Sequence, residues 1–448
     1  MSGEALGFVL LASLLAGIFG GFPIAFTLVV LTAVFGYIGM GTRVFDLMAF
    51  QAWALMKEET LAAVPLFLFM GYLLEEAGLM DRLFRGFQKL LGGVRGSLYL
   101  GVLVTGTIFA AATGIIGASV TLLGIMAGSA MRRAGYDPSL SSGVITAAGC
   151  LGILIPPSVM LVTMGPVVGV SIVKLFAAAI FPGLLLSGLY TVYAMAKSYL
   201  RPHVAPLVPV EERAASLGEG LRELLVGMVP VGTLILAALG SILAGWATPT
   251  EAAAMGAAGA WVLALAYRRF TARGLQQALV RTASTSSMIL FLAVASNMYG
   301  AVFTRLGTGT WIAERVLNSG LAPALIIILL MLVIFLLGWP LEWPAIVYIF
   351  LPIFVPVVEG IRLPGIESTP DKLLWFSTLV AVNLQTAFLS PPVAMAAYYL
   401  KAVVPEWEVG QIYRGMMGFM VLQVVGLVVV LLYPPITLWL PTRLFGGG

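Results

Sequence analysis

Long apolar runs separated by short polar loops fill almost the whole chain. Apolar runs of about 17 to 25 residues suffice to cross a bilayer as helices, and crossings are predicted near 5–19, 24–40, 61–80, 139–170, 175–196, 228–245, 250–267, 282–303, 373–400 and 415–440. Two more stretches, 97–131 and 316–358, are apolar but broken in the middle, which predicts hairpins that re-enter and leave on one side. Two of the crossings are themselves interrupted. Gly149-Cys150-Leu151-Gly152-Ile153-Leu154-Ile155-Pro156-Pro157-Ser158 breaks the segment from Ser142 to Val170, and Asn383 to Pro392, ending Leu389-Ser390-Pro391-Pro392, repeats the device 235 positions later. A Pro-Pro pair removes two backbone donors and excludes helical geometry from the residue before it. Irregular backbone at membrane depth persists only where it is buried in protein or lines a wet cavity, so two such breaks in corresponding places point to a binding site.

The repeat extends beyond the breaks. Phe22-Pro23-Ile24-Ala25-Phe26 opens one helix, and Thr248-Pro249-Thr250-Glu251 opens another 226 positions later. The expected fold is an all-α polytopic membrane protein: an inverted structural repeat with two re-entrant helical hairpins and two broken helices. Residues 1–200 form the first repeat, 201–227 a cytoplasmic linker with prolines 202, 206 and 209, and 228–448 the second repeat. In segment 81–96, Leu83, Phe84, Phe87, Leu90 and Leu91 lie opposite Arg82, Arg85 and Lys89, the pattern of an amphipathic helix lying on the membrane surface.

Composition narrows the class. The 448 residues are 60% hydrophobic and 10% charged, against roughly 25% charged in an average soluble domain. The basic balance, with a pI near 9.1, belongs to short loops rather than to a nucleic-acid face. Loops 81–96, 132–137, 197–227, 268–281 and 401–414 hold 16 of the 24 Lys and Arg residues. By the positive-inside rule they are cytoplasmic and both termini periplasmic. The run from Ala5 to Phe19 lacks a basic n-region and a cleavage pattern, so it is expected as a retained helix. One cysteine, Cys150, and one histidine, His203, make a disulfide or a Cys/His metal site improbable, and His203 reads as a solvated loop residue.

The candidate chemistry is sparse. The first hairpin turns at Thr113-Gly114-Ile115-Ile116-Gly117-Ala118-Ser119, where glycines permit a tight turn and Thr113 and Ser119 add hydroxyls. The second turns at Gly338-Trp339-Pro340-Leu341-Glu342, facing Asn383, Thr386 and Ser390. Half-helix C-termini offer carbonyls to sodium, and N-termini offer amides to a carboxylate. For any one Gly, Ser or Thr, close helix packing is the simpler account; the paired pattern favours a site. Glu251 reads as a capping-box residue before a proton carrier. Glu342 either balances a cation or caps the half-helix that follows it. Neither a nucleophile beside a base nor a phosphate loop is present, so neither catalysis nor ATP-driven pumping is expected.

Gly21-Phe22-Pro23-Ile24-Ala25-Phe26, Val64-Pro65-Leu66-Phe67, Phe109 to Ser119, Gly135-Tyr136-Asp137, Gly152 to Ser158, Ala247 to Ala254 and Leu389 to Pro392 together resemble one family over essentially the whole chain. That family is the large membrane subunit of tripartite ATP-independent periplasmic (TRAP) transporters, the DctM type. Ala112-Thr113-Gly114-Ile115-Ile116-Gly117-Ala118-Ser119, with Trp375-Phe376 and Asn383-Leu384-Gln385, is similar to the branch labelled for 2-oxo acids or "mannitol/chloroaromatic" compounds. The resemblance implies an elevator mechanism, import of a small organic acid with sodium, a separate small membrane subunit of four helices, and a periplasmic binding protein. It places Thr113, Gly114, Gly117, Ser119, Gly149, Gly152, Pro156 and Ser158 in one half-site, and Gly338, Glu342, Asn383, Thr386, Ser390 and Pro391 in the other, with sodium ligands among them and no other cofactor. Cys150, Ile153 and Val393-Ala394 depart from the family pattern. The alternatives are a stand-alone ion-coupled dicarboxylate symporter, and a membrane scaffold that Ser158→Ala, Glu342→Gln and Asn383→Ala would leave functional.

Overall fold

The computed structural model describes residues 2–446 except Ile115, Ala215, Arg269, Pro392 and Val393; at 110–113 and 217 only the backbone is described. The chain begins with α1 (Gly3–Phe19), α2 (Ile24–Met40) and α3 (Arg43–Met56), then a short 3₁₀ turn leading into α4 (Ala63–Glu76) and α5 (Leu79–Leu91). A first hairpin follows, α6 (Ser97–Thr113) and α7 (Ile116–Arg133), then a broken pair, α8 (Pro138–Cys150) and α9 (Val159–Val168), and α10 (Ile172–Leu200). After the linker come α11 (Leu217–Leu243), α12 (Pro249–Ala266), α13 (Ala272–Arg305) and α14 (Thr308–Leu317). The second hairpin is α15 (Pro323–Leu337) against α16 (Trp343–Ala345), which runs through one π turn into α17 (Leu351–Gly360). The second broken pair, α18 (Thr369–Leu389) and α19 (Met395–Val403), precedes α20 (Val409–Leu432) and α21 (Pro435–Phe445).

The order of elements repeats. Ile24 and Pro249, which open α2 and α12, are 225 positions apart; Leu79 and Thr308 are 229 apart, and Val159 and Met395 are 236 apart. The described residues include six helices long and apolar enough to cross a membrane, or seven if the bent pair Glu59–Glu76 and Leu79–Leu91 counts as one. Trp343–Gly360 of the second hairpin and Thr369–Leu389 of the second broken pair are among the six, whereas Ser97–Phe109, Pro138–Ile153, Val159–Val168 and Pro323–Leu337 are apolar but shorter.

Local signals set the helix starts. Asp137 accepts from the Leu140 amide at 2.7 Å and opens α8. Thr248 and Glu251 cap each other, with Glu251 Oε2 accepting from the Thr248 amide at 2.8 Å. That assigns Glu251 to helix initiation. Lys372, 7% exposed, donates to the carbonyls of Glu359 at 2.7 Å and Ile361 at 2.9 Å, satisfying the C-terminal end of α17.

The helices pack in two groups. One joins α1–α4 with α11–α14, through α4 on α12 and α13, and α2 and α3 on α13. The other joins α6–α10 with α15–α21, through α8 on α20, α18 on α20, and α10 on α18 and α21. Small residues allow the closest approaches, as membrane helices require: a Cβ on Gly256 would sit 2.6 Å from Met70 Sδ, and one on Gly143 would strike the Gly415 carbonyl.

The structure changes four sequence expectations and adds one helix. The apolar face of segment 81–96 is covered by protein: Leu83, Phe84 and Phe87 are buried, and a Cβ on Gly86 would meet the Leu224 backbone at 2.7 Å, so α11 and α6 pack on it. The linker ends early, because Ser216 accepts from the Glu219 amide and starts α11 eleven residues before position 228. The crossing expected at 415–440 is two helices parted at Tyr433, since Pro434 and Pro435 lack the amides to continue it. The second hairpin begins at Pro323, not 316, and α14 is a separate helix. Helix α3, across 43–56, was not expected.

Candidate functional site

The first hairpin reverses within two residues. Gly114 takes φ +60°, a left-handed conformation that glycine adopts without strain, and a Cβ there would sit 3.3 Å from the Val159 amide nitrogen. The tip thereby abuts the start of α9. Thr113 closes α6, and its side chain lies outside the described residues. Gly117, in the first turn of α7, packs face-on to Tyr399, with 3.2 Å from a built Cβ to the ring. At the first break, Ser158 Oγ donates to the Ile153 carbonyl at 2.6 Å, so the hydroxyl ties α9 to the 3₁₀ turn containing Gly152. Pro156 and Pro157 form the linking bend through a cis peptide bond.

The second tip is braced by different chemistry. Trp339 Nε1 donates to Ser390 Oγ at 2.9 Å, joining the hairpin to the end of α18 just before Pro391. Gly338 lies against Ala387, 2.7 Å from a built Cβ to that methyl. Asn383 Nδ2 donates to the Met331 carbonyl at 2.7 Å, and Thr386 Oγ1 to the Asn383 carbonyl at 2.6 Å. Glu342 occupies the N-cap position before α16, yet its side chain makes no cap hydrogen bond. The capping role is thereby set aside for Glu342. No hydrogen bond or ion pair to its carboxylate occurs among the described residues.

These elements enclose a cavity of ≈ 240 Å³ between the two helix groups. Its walls include Gly114 and Gly117, Glu342, Phe388 and Tyr399 on one side, and Leu68 of α4 with Thr285 and Met288 of α13 on the other. Ile116, Val159, Trp343 and Met395 also line it, and each is the first residue of a helix: α7, α9, α16 and α19. First-turn amides have no carbonyl partner inside their own helix and carry the positive end of its dipole. Four such ends therefore converge on one chamber. A neighbouring cavity of ≈ 290 Å³ lies between the second tip and the α1–α2 turn at Gly21 and Phe22, and Glu342 lines both.

Of the expected site residues, the structure brings Gly114, Gly117 and Glu342 to the first cavity, and Gly338 and Glu342 to the second. Ser119, Gly149, Gly152, Pro156, Ser158, Asn383, Thr386, Ser390 and Pro391 line neither. Gly149 instead lets α8 touch Val120 of α7, where any Cβ would collide. Sequence reasoning missed the opposite wall and Tyr399. The hydroxyl run Thr282-Ala283-Ser284-Thr285-Ser286-Ser287 inside a spanning helix was the available signal, and Met395 and Tyr399, four apart after the break, were another. Thr285 is held by Tyr72, whose hydroxyl lies 3.0 Å from Thr285 Oγ1.

Residues 11–436 match the family model for the "Tripartite ATP-independent periplasmic transporter, DctM component". The chain belongs to the DctM family. Among DctM relatives, it is 30% identical over 400 residues to the C4-dicarboxylate TRAP transporter large permease protein of Pseudomonas aeruginosa, covering 89% of this chain and 90% of that one. It is 28% identical to the sialic acid TRAP transporter large permease protein of Vibrio cholerae, covering 96% and 97%. Its fold also matches the YdaH transporter of Alcanivorax borkumensis, with a TM-score of 0.66 at 15% identity, over 97% of this chain and 99% of that one. DctM components are multi-span transporter permeases, not enzymes, so this chain is a TRAP large permease subunit.

Proposed function

We propose that the chain imports a small organic acid with sodium, moving it by an elevator displacement of α6–α10 and α15–α21 against α1–α4 and α11–α14. The observation that carries the reading is the convergence of four helix N-termini on the chamber between those groups. Such ends stabilise negative charge, and among the described residues neither Lys, Arg nor His lines the chamber. Amide dipoles would hold the substrate carboxylate, and Glu342 would hold the cation that moves with it. The relatives carry C4-dicarboxylates, sialic acid and isethionate, all anions, which fits this chemistry. A small membrane subunit of four helices and a periplasmic binding protein complete the transporter in the bacterial inner membrane, with both termini of this chain periplasmic.

The test is uptake of labelled 2-oxo and 2-hydroxy acids and C4-dicarboxylates into proteoliposomes holding this chain and its small subunit. Inward sodium gradients would be scanned with and without the binding protein. Uptake that needs both is the expected result. Sodium-driven uptake without the binding protein would establish the stand-alone symporter instead, and uptake driven by a pH gradient in sodium-free buffer would overturn sodium coupling.

A further inference from the structure

A larger cavity, ≈ 390 Å³, lies between the same two helix groups but further along them, lined by Gln51 of α3, Thr163 of α9, Ser296, Asn297 and Arg305 of α13, and Tyr348. It continues the chamber described above on three elements at once. Val159 of the chamber leads to Thr163, Trp343 to Tyr348, and Ile289 to Ser296. Steps of four to seven residues along a helix are about 6–11 Å, and by the count of basic loops all three run toward the periplasmic face.

The lining is rich in donors and contains one charge. Among the described residues, neither Asp nor Glu lines it, and Arg305 is the one cationic side chain that does. Arg305 has no acidic partner within salt-bridge distance among the described residues. Ser296 is fully buried, and its hydroxyl has no hydrogen-bond partner among the described residues. Asn297 Nδ2 donates to the Gln51 side-chain oxygen at 3.1 Å, which turns the Gln51 amide group away from that oxygen and leaves it free to donate.

The other end of α13 is built differently. Arg281 is paired with Glu75 at 2.9 Å and lies over the Tyr72 ring, 5.8 Å from its centroid. So along this interface helix Arg281 is neutralised and Arg305 is not, 24 residues apart, about 36 Å along a helix.

We propose that this cavity is an antechamber for a small carboxylate, held by the Arg305 guanidinium and the donors of Gln51, Ser296 and Tyr348 before it reaches the four-helix chamber. The proposal rests on the anion-import reading above. A fixed charge at a low-dielectric mouth raises capture rate and makes it dependent on ionic strength.

Because the single cysteine, Cys150, is fully buried, one introduced cysteine reports on the cavity. Ala301→Cys, or Thr304→Cys if the first labels too slowly, would be placed in the reconstituted complex and treated from outside with an impermeant maleimide. Succinate and pyruvate are the probes and succinamide is the uncharged control. Both carboxylates should slow labelling and succinamide should not. Arg305→Gln should abolish that protection, raise the KM for uptake about tenfold with a smaller change in kcat, and flatten its ionic-strength dependence, while Arg305→Lys should retain most of each. Protection that persists in Arg305→Gln, or that neither carboxylate gives, overturns the antechamber. If the unmodified complex takes up no carboxylate at all, it is the transport reading that fails; sodium-driven uptake with an unaltered KM in Arg305→Gln sinks the antechamber alone.

Discussion

Alanine at Gly114 and alanine at Gly117, three residues apart at one hairpin tip, should behave in opposite ways. Gly114 sits at φ +60°, where an L-residue costs roughly 1–2 kcal/mol. Its new Cβ would also lie 3.3 Å from both the backbone nitrogen and Cγ2 of Val159. Backbone at a helix start cannot yield as a side chain can, so the total destabilisation is about 2–3 kcal/mol. Gly117 has ordinary helical geometry, where alanine gains about 1 kcal/mol of helix propensity. That gain is set against crowding of the Tyr399 ring at 3.2 Å, which can swing away. The swing carries the ring into the ≈ 240 Å³ chamber. Thermal unfolding of the purified complex should therefore show Gly114→Ala melting well below the wild type and Gly117→Ala close to it. Uptake by Gly117→Ala should fall although its stability does not. If Gly114→Ala melts with the wild type, the tip is not pinned on α9 as the structure has it, and the argument for a built chamber fails with it.

Three further changes separate site from support. Glu342→Gln keeps the shape and removes the charge of a group that holds no partner, so it should fold normally and need about tenfold more sodium for half-maximal uptake; an unaltered sodium dependence would remove Glu342 from coupling. Trp339→Phe and Ser390→Ala each break the 2.9 Å bond between second tip and second break and should each cost about 1 kcal/mol. The double variant should cost less than the two together, and strict additivity in unfolding measurements would show the bond to be idle. Lys372→Met strips two carbonyls of a buried ammonium and should destabilise by about 2–4 kcal/mol, with uptake per folded molecule unchanged; an unshifted unfolding midpoint would mean water takes over both carbonyls.

The parts of this fold that were legible in the sequence are those where a rule acts on neighbours. Pro156-Pro157 breaks a helix wherever it stands, Thr248 with Glu251 caps one, and Asp137 before Pro138 starts one. Each needs only the next few residues. The amphipathic pattern of α5 was equally legible, but its meaning was not, because periodicity reveals an apolar face and is silent about what covers it. Leu83 and Phe84 looked like membrane contacts and are covered by protein, Leu83 by Gly227 of α11, more than a hundred positions later, and Phe84 by Gly101 of α6.

The site divides along the same line. Gly114, Gly117 and Glu342 drew notice because each sits at a turn that the chain must make, and all three line the chamber. Serine and threonine residues near the breaks were harder to assign, since a hydroxyl that ligates and one that braces look alike in sequence; Ser158 and Thr386 each donate to a nearby carbonyl within their own broken segment. The wall supplied by α13 had no break to announce it. There the repeat offers no guide: the counterpart of α13 in the first half is the pair α3 and α4, interrupted near Lys57-Glu58, whereas α13 continues unbroken for 34 residues. A continuous helix carries Thr285 at the chamber, Ser296 at the antechamber and Arg305 at its mouth on one rigid element, and an interrupted one cannot. The two halves share a plan for the tips and breaks, and the route to them depends on the place where that plan is not repeated.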